Sequence, residues 1–232
     1  KDNSREILRH YTNKLSYWIS EPDKGQSQAI NIGFSHTDGE IMAWLNSDDL
    51  LLPGTLNRVA DYFNTHPEID VLYGNRLLID EDNGEIGRWI LPHHSSNVLS
   101  WADFIPQETL FWRRRIWDKI GGQIDESFSF AMDWDLLLRF REVGAKFAHI
   151  PYFLGAFRVH DSQKTLAATD IGFDETKEIR KRIFGKIPAK IKVRIALFPF
   201  ILQHITVNLL YLIKCRIHRK KYIPVFYQEH DK

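Results

Sequence analysis

The sequence predicts an α/β fold, with helices packed on a largely parallel sheet. Two observations carry this. Segments with apolar residues at helical spacing alternate with short apolar runs bounded by turn residues, in the order helix, strand, helix, strand, helix, strand. The chain, at 232 residues, is also long enough for one domain with a proper core and an appendage.

Residues 3–15 carry Ile7, Leu8, Tyr11 and Leu15 at helical spacing, and Tyr17 to Ser20 then reads as a short strand. Glu21-Pro22-Asp23-Lys24-Gly25 is a turn. A second helix is expected over residues 26–36, with Ala29, Ile30, Gly33 and Phe34 facing inward. Asp38-Gly39 then introduces a buried strand from Ile41 to Leu45. Leu56, Val59, Ala60 and Phe63 mark an amphipathic helix that Pro67 ends. Val71 to Tyr73 and Leu77 to Ile79 read as strands, and Glu81-Asp82-Asn83-Gly84 is a tight turn before a strand from Ile86 to Ile90. The later half is mixed: a strand around 108–112, helices around 114–121 and 133–143, and strand-like runs from Phe147 to Phe157. No internal repeat or low-complexity segment is visible.

From about residue 186 the composition changes. Ile195 to Ile213 is mostly apolar, interrupted by Pro199, Gln203, His204, Thr206 and Asn208. Lys186, Lys190, Lys192 and Arg194 precede it; Lys214, Arg216, Arg219, Lys220 and Lys221 follow. A spanning helix needs about 20 apolar residues with few polar ones. An interfacial helix with cationic flanks on anionic headgroups fits better, and a core-packed helix is the alternative.

Bulk properties narrow the field. A formal net charge of +1 gives no sign of a nucleic-acid partner. One cysteine, Cys215, excludes an intramolecular disulfide and a Cys-rich zinc site, as a reducing cytosol would allow. The opening residues Lys1–Glu6 contain no apolar signal-peptide core. Seven Trp are compatible with carbohydrate stacking, but their favoured reading is as large core residues.

The sharpest local feature is Asn46-Ser47-Asp48-Asp49 at the end of the strand 41–45. Open α/β sheets place ligands beyond the carboxyl ends of their strands. Adjacent carboxylates repel unless a cation or a donor network satisfies them. A divalent metal holding a diphosphate is one explanation, since hard oxygen ligands suit Mg²⁺ or Mn²⁺. An ordinary helix N-cap cluster is the other.

Two stretches, Ser20-Glu21-Pro22-Asp23-Lys24-Gly25-Gln26-Ser27-Gln28-Ala29-Ile30-Asn31 and Gly39-Glu40-Ile41-Met42-Ala43-Trp44-Leu45-Asn46-Ser47-Asp48-Asp49, resemble family 2 glycosyltransferases of the GT-A fold. Gln107-Glu108-Thr109-Leu110-Phe111-Trp112-Arg113-Arg114 and Ala131-Met132-Asp133-Trp134-Asp135-Leu136-Leu137-Leu138-Arg139 resemble that family's acceptor-side segments. Phe157-Arg158-Val159-His160, with Ser162 and Lys164, completes the series, so the likeness covers about residues 1–165.

The resemblance implies a GT-A domain, a mixed sheet flanked by helices, over residues 1–185; the change in composition marks 186–232 as a basic, apolar, amphipathic helical extension. It implies a nucleotide-diphospho-sugar donor, a glycan or lipid-linked acceptor, and Mn²⁺ or Mg²⁺. The basic, apolar C-terminus adds an expected place on the inner, cytoplasmic face of an anionic membrane. The family's Asp-x-Asp motif falls on Asn46-Ser47-Asp48, so Asp48 takes the metal-ligand position and Asn46 replaces the first acid. His160 matches a second metal or diphosphate contact. Lys24, Gln26, Asn31, Asn46 and Asp49 fall on the donor side, and Gln107, Glu108 and Trp112 on the acceptor side. Asp133 takes the position of the base that removes a proton from the acceptor hydroxyl in inverting transfer, with Asp135 the competing candidate. Residues two apart on a helix point in different directions, so one of the two should face the acceptor. A GT-A domain is expected to open with a strand, a helix and a second strand, roughly 35–40 residues that would precede Lys1. Two alternatives stay open: a nucleotidyltransferase of similar fold, and a non-catalytic sugar-binding or assembly module.

Overall fold

The computed structural model describes residues 2–160 and 169–217. Helix α1 (Ser4–His10) and a 3₁₀ turn (Thr12–Lys14) cover the first predicted helix but bury no residue. Tyr17 to Ser20 is not a strand, contrary to expectation; it runs along the surface without a ladder partner, and Tyr17 instead stacks on His36 at 3.6 Å. Helix α2 (Gln26–Ser35) packs through Ser27, Ile30 and Phe34, at positions i, i+3 and i+7. Ala29 and Gly33, expected inside, are exposed on the opposite face.

Strand β1 is only Ile41–Met42, shorter than the expected run to Leu45. A side chain ends it: the Gln107 amide donates to the Trp44 carbonyl at 2.8 Å, where a ladder bond would otherwise lie. A short β2 (Leu50–Leu51) and then α3 (Thr55–Thr65) follow. β3 (Val71–Ile79) is one nine-residue strand where two were expected. Gly74, between the two expected runs, is needed within the sheet: a Cβ there would meet the Tyr152 carbonyl oxygen and Leu154 Cγ, each at 2.6 Å. β4 (Glu85–Trp89) completes a hairpin with β3. A short helix α4 (Ser96–Leu99) precedes β5 (Phe111–Arg113), α5 (Arg114–Lys119), α6 (Met132–Glu142) and the long β6 (Phe147–Arg158). Two helices follow, α7 (Thr169–Phe184), which periodicity did not reveal, and α8 (Lys190–Ile217). Ser162, Lys164 and the basic run Arg219, Lys220 and Lys221 lie outside the described residues.

The described strands form one mixed sheet in the order β1-β5-β3-β6-β2, with β4 beside the later part of β3. Only β3–β6 is parallel among the described pairs: the mixed sheet that the family resemblance implies is present, whereas the largely parallel pairing suggested by helix–strand alternation is not. The β3–β4 hairpin and the return of β5 between β1 and β3 account for three antiparallel pairs, and β2–β6 is the fourth. Alternation along β3 divides the core. Val71 and Tyr73 face α2, α5 and α6, whereas Leu72 faces Val59 and Phe63 of α3. The result is a helix–sheet–helix sandwich with β5, β3 and β6 at its centre and β1 and β2 at the edges, and the loops after β1 and β6 open on the same side.

Candidate active site

The loop after β1 is held by side chains. The Asn46 carbonyl accepts from the Gln26 amide at 2.8 Å, and its NH₂ donates to Gln107 Oε1 at 3.1 Å and to Asp49 Oδ2 at 3.2 Å. Asn46 therefore sits at the centre of a network joining α2, its own loop and the 3₁₀ turn Gln107–Thr109. Arg158, at the end of β6, donates from Nε to the Asp48 carbonyl at 2.9 Å and from its backbone to Asp49 Oδ1 at 3.2 Å. The same guanidinium reaches the Asp80 carbonyl and Asn83, tying this loop to the β3–β4 turn. Asp49 is buried; loss of water, then the neighbouring Glu108 charge, pushes its carboxyl up to about 6.

Behind this loop Glu108 is buried and forms a two-pronged ion pair with Arg76 of β3, both contacts at 2.7 Å. Arg76 also lies over the Phe157 ring at 4.7 Å and near Trp89 at 5.4 Å.

These groups line a cleft of 780 Å³. Asp133, in the first turn of α6, contributes to another part of its lining. Its carboxyl is raised by desolvation, an effect that a bond from the Trp134 backbone N–H at 2.9 Å and the Arg76 charge oppose. Asp103 also lines the cleft, and desolvation and then the charge of Asp133 raise it well above the ordinary carboxylate range. Asp135 points elsewhere: it is fully buried, ion-paired with Arg182 of α7 and 3.7 Å from Arg139. Helical geometry thus gives the two aspartates different surroundings, and only Asp133 borders the cleft.

The sequence-selected residues divide accordingly. Gln26, Asn46, Asp48, Asp49, Gln107, Glu108 and Asp133 converge on the cleft. His160 stands at its margin, with Nε2 3.2 Å from Asp48 Oδ2. Four do not border it. Lys24 is exposed in the turn before α2. Asn31 pairs with the Ile124 backbone through both amide groups, at 2.9 and 2.8 Å, and acts as scaffold. Trp112 is fully buried among Phe34, Trp44, Trp117 and Phe140, behind the cleft wall rather than on it. Asp135 is the fourth.

Sequence reasoning missed Arg76, Trp89, Asp103 and Arg180, which line the cleft, and Glu175, which shapes it. The Glu175 carboxylate of α7 accepts backbone N–H bonds from Ser129, Phe130 and Ala131, each at 2.8 Å. Burial opposes its charge, but these donors hold it below the usual carboxylate range. The loop leading into Asp133 is fixed by this clamp. A usable signal existed for Arg76 alone, a lone cation in the apolar run Val71–Ile79.

Asp48 and His160 together offer a carboxylate oxygen and an imidazole nitrogen at contact distance. Among the described residues no group of three or more His, Cys, Asp or Glu side chains is arranged for a metal. The pair fits a hard cation that completes its shell with phosphate oxygens and water, as Mg²⁺ and Mn²⁺ do in nucleotide sites.

Comparison with known proteins agrees with the fold. The profile described as Glycosyl transferase family 2 matches residues 1–143. The O-antigen biosynthesis protein RfbC of Myxococcus xanthus is 30% identical over 124 residues, 53% of this chain and 10% of that protein. S. aureus TarS 1-349 in complex with UDP-GlcNAc superposes with a TM-score of 0.62 at 14% identity, covering 89% of this chain and 61% of TarS. The mannosyltransferase PcManGT from Pyrobaculum calidifontis, in complex with GDP-Man and Mn²⁺, superposes with a TM-score of 0.57 at 13% identity, covering 97% of this chain and 65% of that one. The chain spans between a tenth and about half the length of the first curated relatives it matches.

Proposed function

The chain belongs to glycosyl transferase family 2, and from that membership we propose that it moves a sugar from a nucleotide-diphospho-sugar to a hydroxyl of a glycan or glycolipid precursor, inverting the anomeric carbon. The observation that carries this reading is the meeting of Asn46–Asp49 and Asp133 in one cleft.

The chemistry follows from the placement. Asp133 accepts the proton of the acceptor hydroxyl as that oxygen bonds to the anomeric carbon. The bond from that carbon to the diphosphate breaks on the opposite side, and its electron pair leaves with the diphosphate. The raised affinity of Asp133 for a proton makes it a stronger base than a solvated carboxylate. Asn46, Gln26 and Asp49 bind and orient the donor; Gln107 and Glu108 shape the acceptor side. Asp48 and His160 would hold Mn²⁺ or Mg²⁺, which when bound offsets charge on the departing diphosphate. Residues 1–185 form the catalytic unit. Residues 186–232 rest on an anionic membrane at its cytoplasmic face.

The test is calorimetric titration of UDP and of GDP, with and without Mn²⁺, into wild type and Asp48→Ala. Metal-dependent binding that Asp48→Ala abolishes is expected. Binding that ignores both metal and mutation would overturn the donor-site assignment. Asp133→Asn should keep nucleotide binding and lose roughly 100- to 10,000-fold in transfer.

A further inference from the structure

Helix α8 has its polarity turned inside out. Its half-buried positions are Val193, Ala196, Leu197, Phe200, His204, Val207, Asn208 and Tyr211, one stripe at spacings of three and four. Three of them are polar and bind the domain. The Asn208 amide donates to the Ile90 carbonyl at 3.0 Å, and Tyr211 meets Arg88, which is itself paired with Glu85. His204 lies 5.9 Å from the Trp89 ring, and Phe200 lies 4.7 Å from Phe104. The outward surface is the greasier one. Ile191, Ile195, Phe198, Ile201, Leu202, Ile205, Leu209, Leu210, Leu212 and Ile213 are between 44 and 66 per cent exposed. A helix on a water-soluble domain shows the opposite arrangement.

Charge indicates what covers that surface. No Asp or Glu occurs between Lys190 and Ile217, and Lys190, Lys192, Arg194 and Lys214 stand at its ends. Cationic ends around an apolar face complement anionic headgroups above hydrocarbon.

Length and docking decide the orientation. The segment Lys190–Lys214 is long and apolar enough to span, its most apolar stretch of 18 residues reaching a mean hydropathy of 1.7. The docked stripe, however, runs along the domain from Leu197 to Tyr211, about 21 Å at the helical rise. Stood upright, α8 would carry the Arg88–Glu85 pair and the edge of β4 into a hydrocarbon core about 30 Å thick, where polar groups lack partners.

We propose that α8 lies flat in the interface of an anionic bilayer, docked to the domain on one face and immersed in lipid on the other. Trp89, which borders the cleft, then sits one contact from the membrane helix, and the cleft is held at the lipid surface. This deepens the membrane part of the function above and rests on it.

The experiment uses the full chain and vesicles of phosphatidylglycerol mixed with phosphatidylcholine. With Cys215 replaced by Ser, single cysteines at Phe198, Ile201, Leu202, Ile205, Leu209 and Leu212 carry spin labels. Their relative accessibility to oxygen and to a nickel chelate reports depth. A uniform shallow depth along the helix is expected. A depth that peaks near Leu202 and falls toward both ends means a span, and overturns the flat orientation while leaving membrane binding intact. No vesicle binding, or self-association that hides the labels without lipid, overturns the membrane reading itself. Omitting phosphatidylglycerol should weaken binding by roughly 100-fold, and the variant Lys190→Glu/Lys192→Glu/Arg194→Glu should do the same with the anionic vesicles; unchanged binding in either arm would remove the charge argument.

Discussion

Gly155 is a sharp test of how the cleft is built, because a single methyl there strikes a functional turn. Gly155 lies in β6, paired with Arg76 on one side and Leu51 on the other. A Cβ would stand 2.6 Å from the Glu108 carbonyl oxygen and 2.8 Å from Glu108 Cγ. Ordinary contact begins near 3.4 Å, so the turn would have to retreat by roughly 0.8 Å. The oxygen is backbone, and the Glu108 side chain is pinned to Arg76, so no flexible end can absorb the clash. Overpacking of this kind costs about 1–3 kcal/mol. Gln107 moves with the turn and pulls on Asn46 across their 3.1 Å bond. A displacement near 1 Å at such a site lowers catalysis by on the order of 100-fold. Gly155→Ala should therefore shift the urea midpoint down by that energy and reduce sugar-nucleotide turnover further than the lost stability explains. Gly87→Ala is the control. Its Cβ would meet the end of the Leu78 side chain at 3.2 Å, which can rotate aside, so near-normal behaviour is expected. A Gly155→Ala protein with wild-type midpoint and turnover would refute the close-approach argument.

Three other outcomes follow from named contacts. Arg76→Met leaves the Glu108 carboxylate buried without its partner and should destabilise the fold by about 3–5 kcal/mol; the double variant with Glu108→Gln should recover part of that in urea unfolding, and failure to recover any would deny the coupling. His94 and His149 are both held down to about 4 by burial, against 6.5 when solvated; between those values the unfolded chain binds protons that the folded rings refuse, so these two groups remove stability as pH falls from 6.5 to about 4. Asp49, raised to about 6, acts with the opposite sign, so the check is ring titration by NMR, and midpoints near 6.5 would contradict the burial. Glu175→Ala should speed hydrogen exchange at the Ser129, Phe130 and Ala131 amides and lower transfer, whereas unchanged exchange would mean that other contacts hold that loop.

What could be read in advance follows from what carries a local signal. The helices around Val59 and Leu136 announce themselves because their apolar residues recur with the helical period. Strand direction has no such signature. Alternation of helix and strand suggests parallel pairing, but β4 folds back on β3 in a hairpin, and β1 and β5 pair antiparallel with strands distant in sequence. The single strand β3 was legible only as two runs because a glycine in a strand pattern denotes either a break or a close approach, and at Gly74 only the position of Tyr152 and Leu154 distinguishes them. Helix α7 stayed hidden because Ile179 is its one fully buried large apolar residue, while Glu175, Arg180 and Arg182 hold it through polar contacts.

The site shows the same division between residue type and placement. Its acids stood out as residue types, and their separation into roles needed three dimensions. Asp133 and Asp135 are equivalent in sequence, both at the start of one helix, where either carboxylate favours the helix dipole. Just over half a helical turn sends Asp135 to Arg182 and Arg139, where it fastens α7 to α6, and leaves Asp133 on the cleft. The two acids are thereby joined in purpose. Asp135 helps hold α7 in place, Glu175 of α7 clamps the loop before Met132, and that loop sets where Asp133 presents its carboxylate. Loss of Asp135 should then misplace Asp133 as well as unsettle the core, an effect that reading Asp135 as a second base would not foresee. Asp135→Asn retains an acceptor for Arg182 and should keep more activity than Asp135→Leu, whereas a direct proton-transfer role would make the two equally inactive.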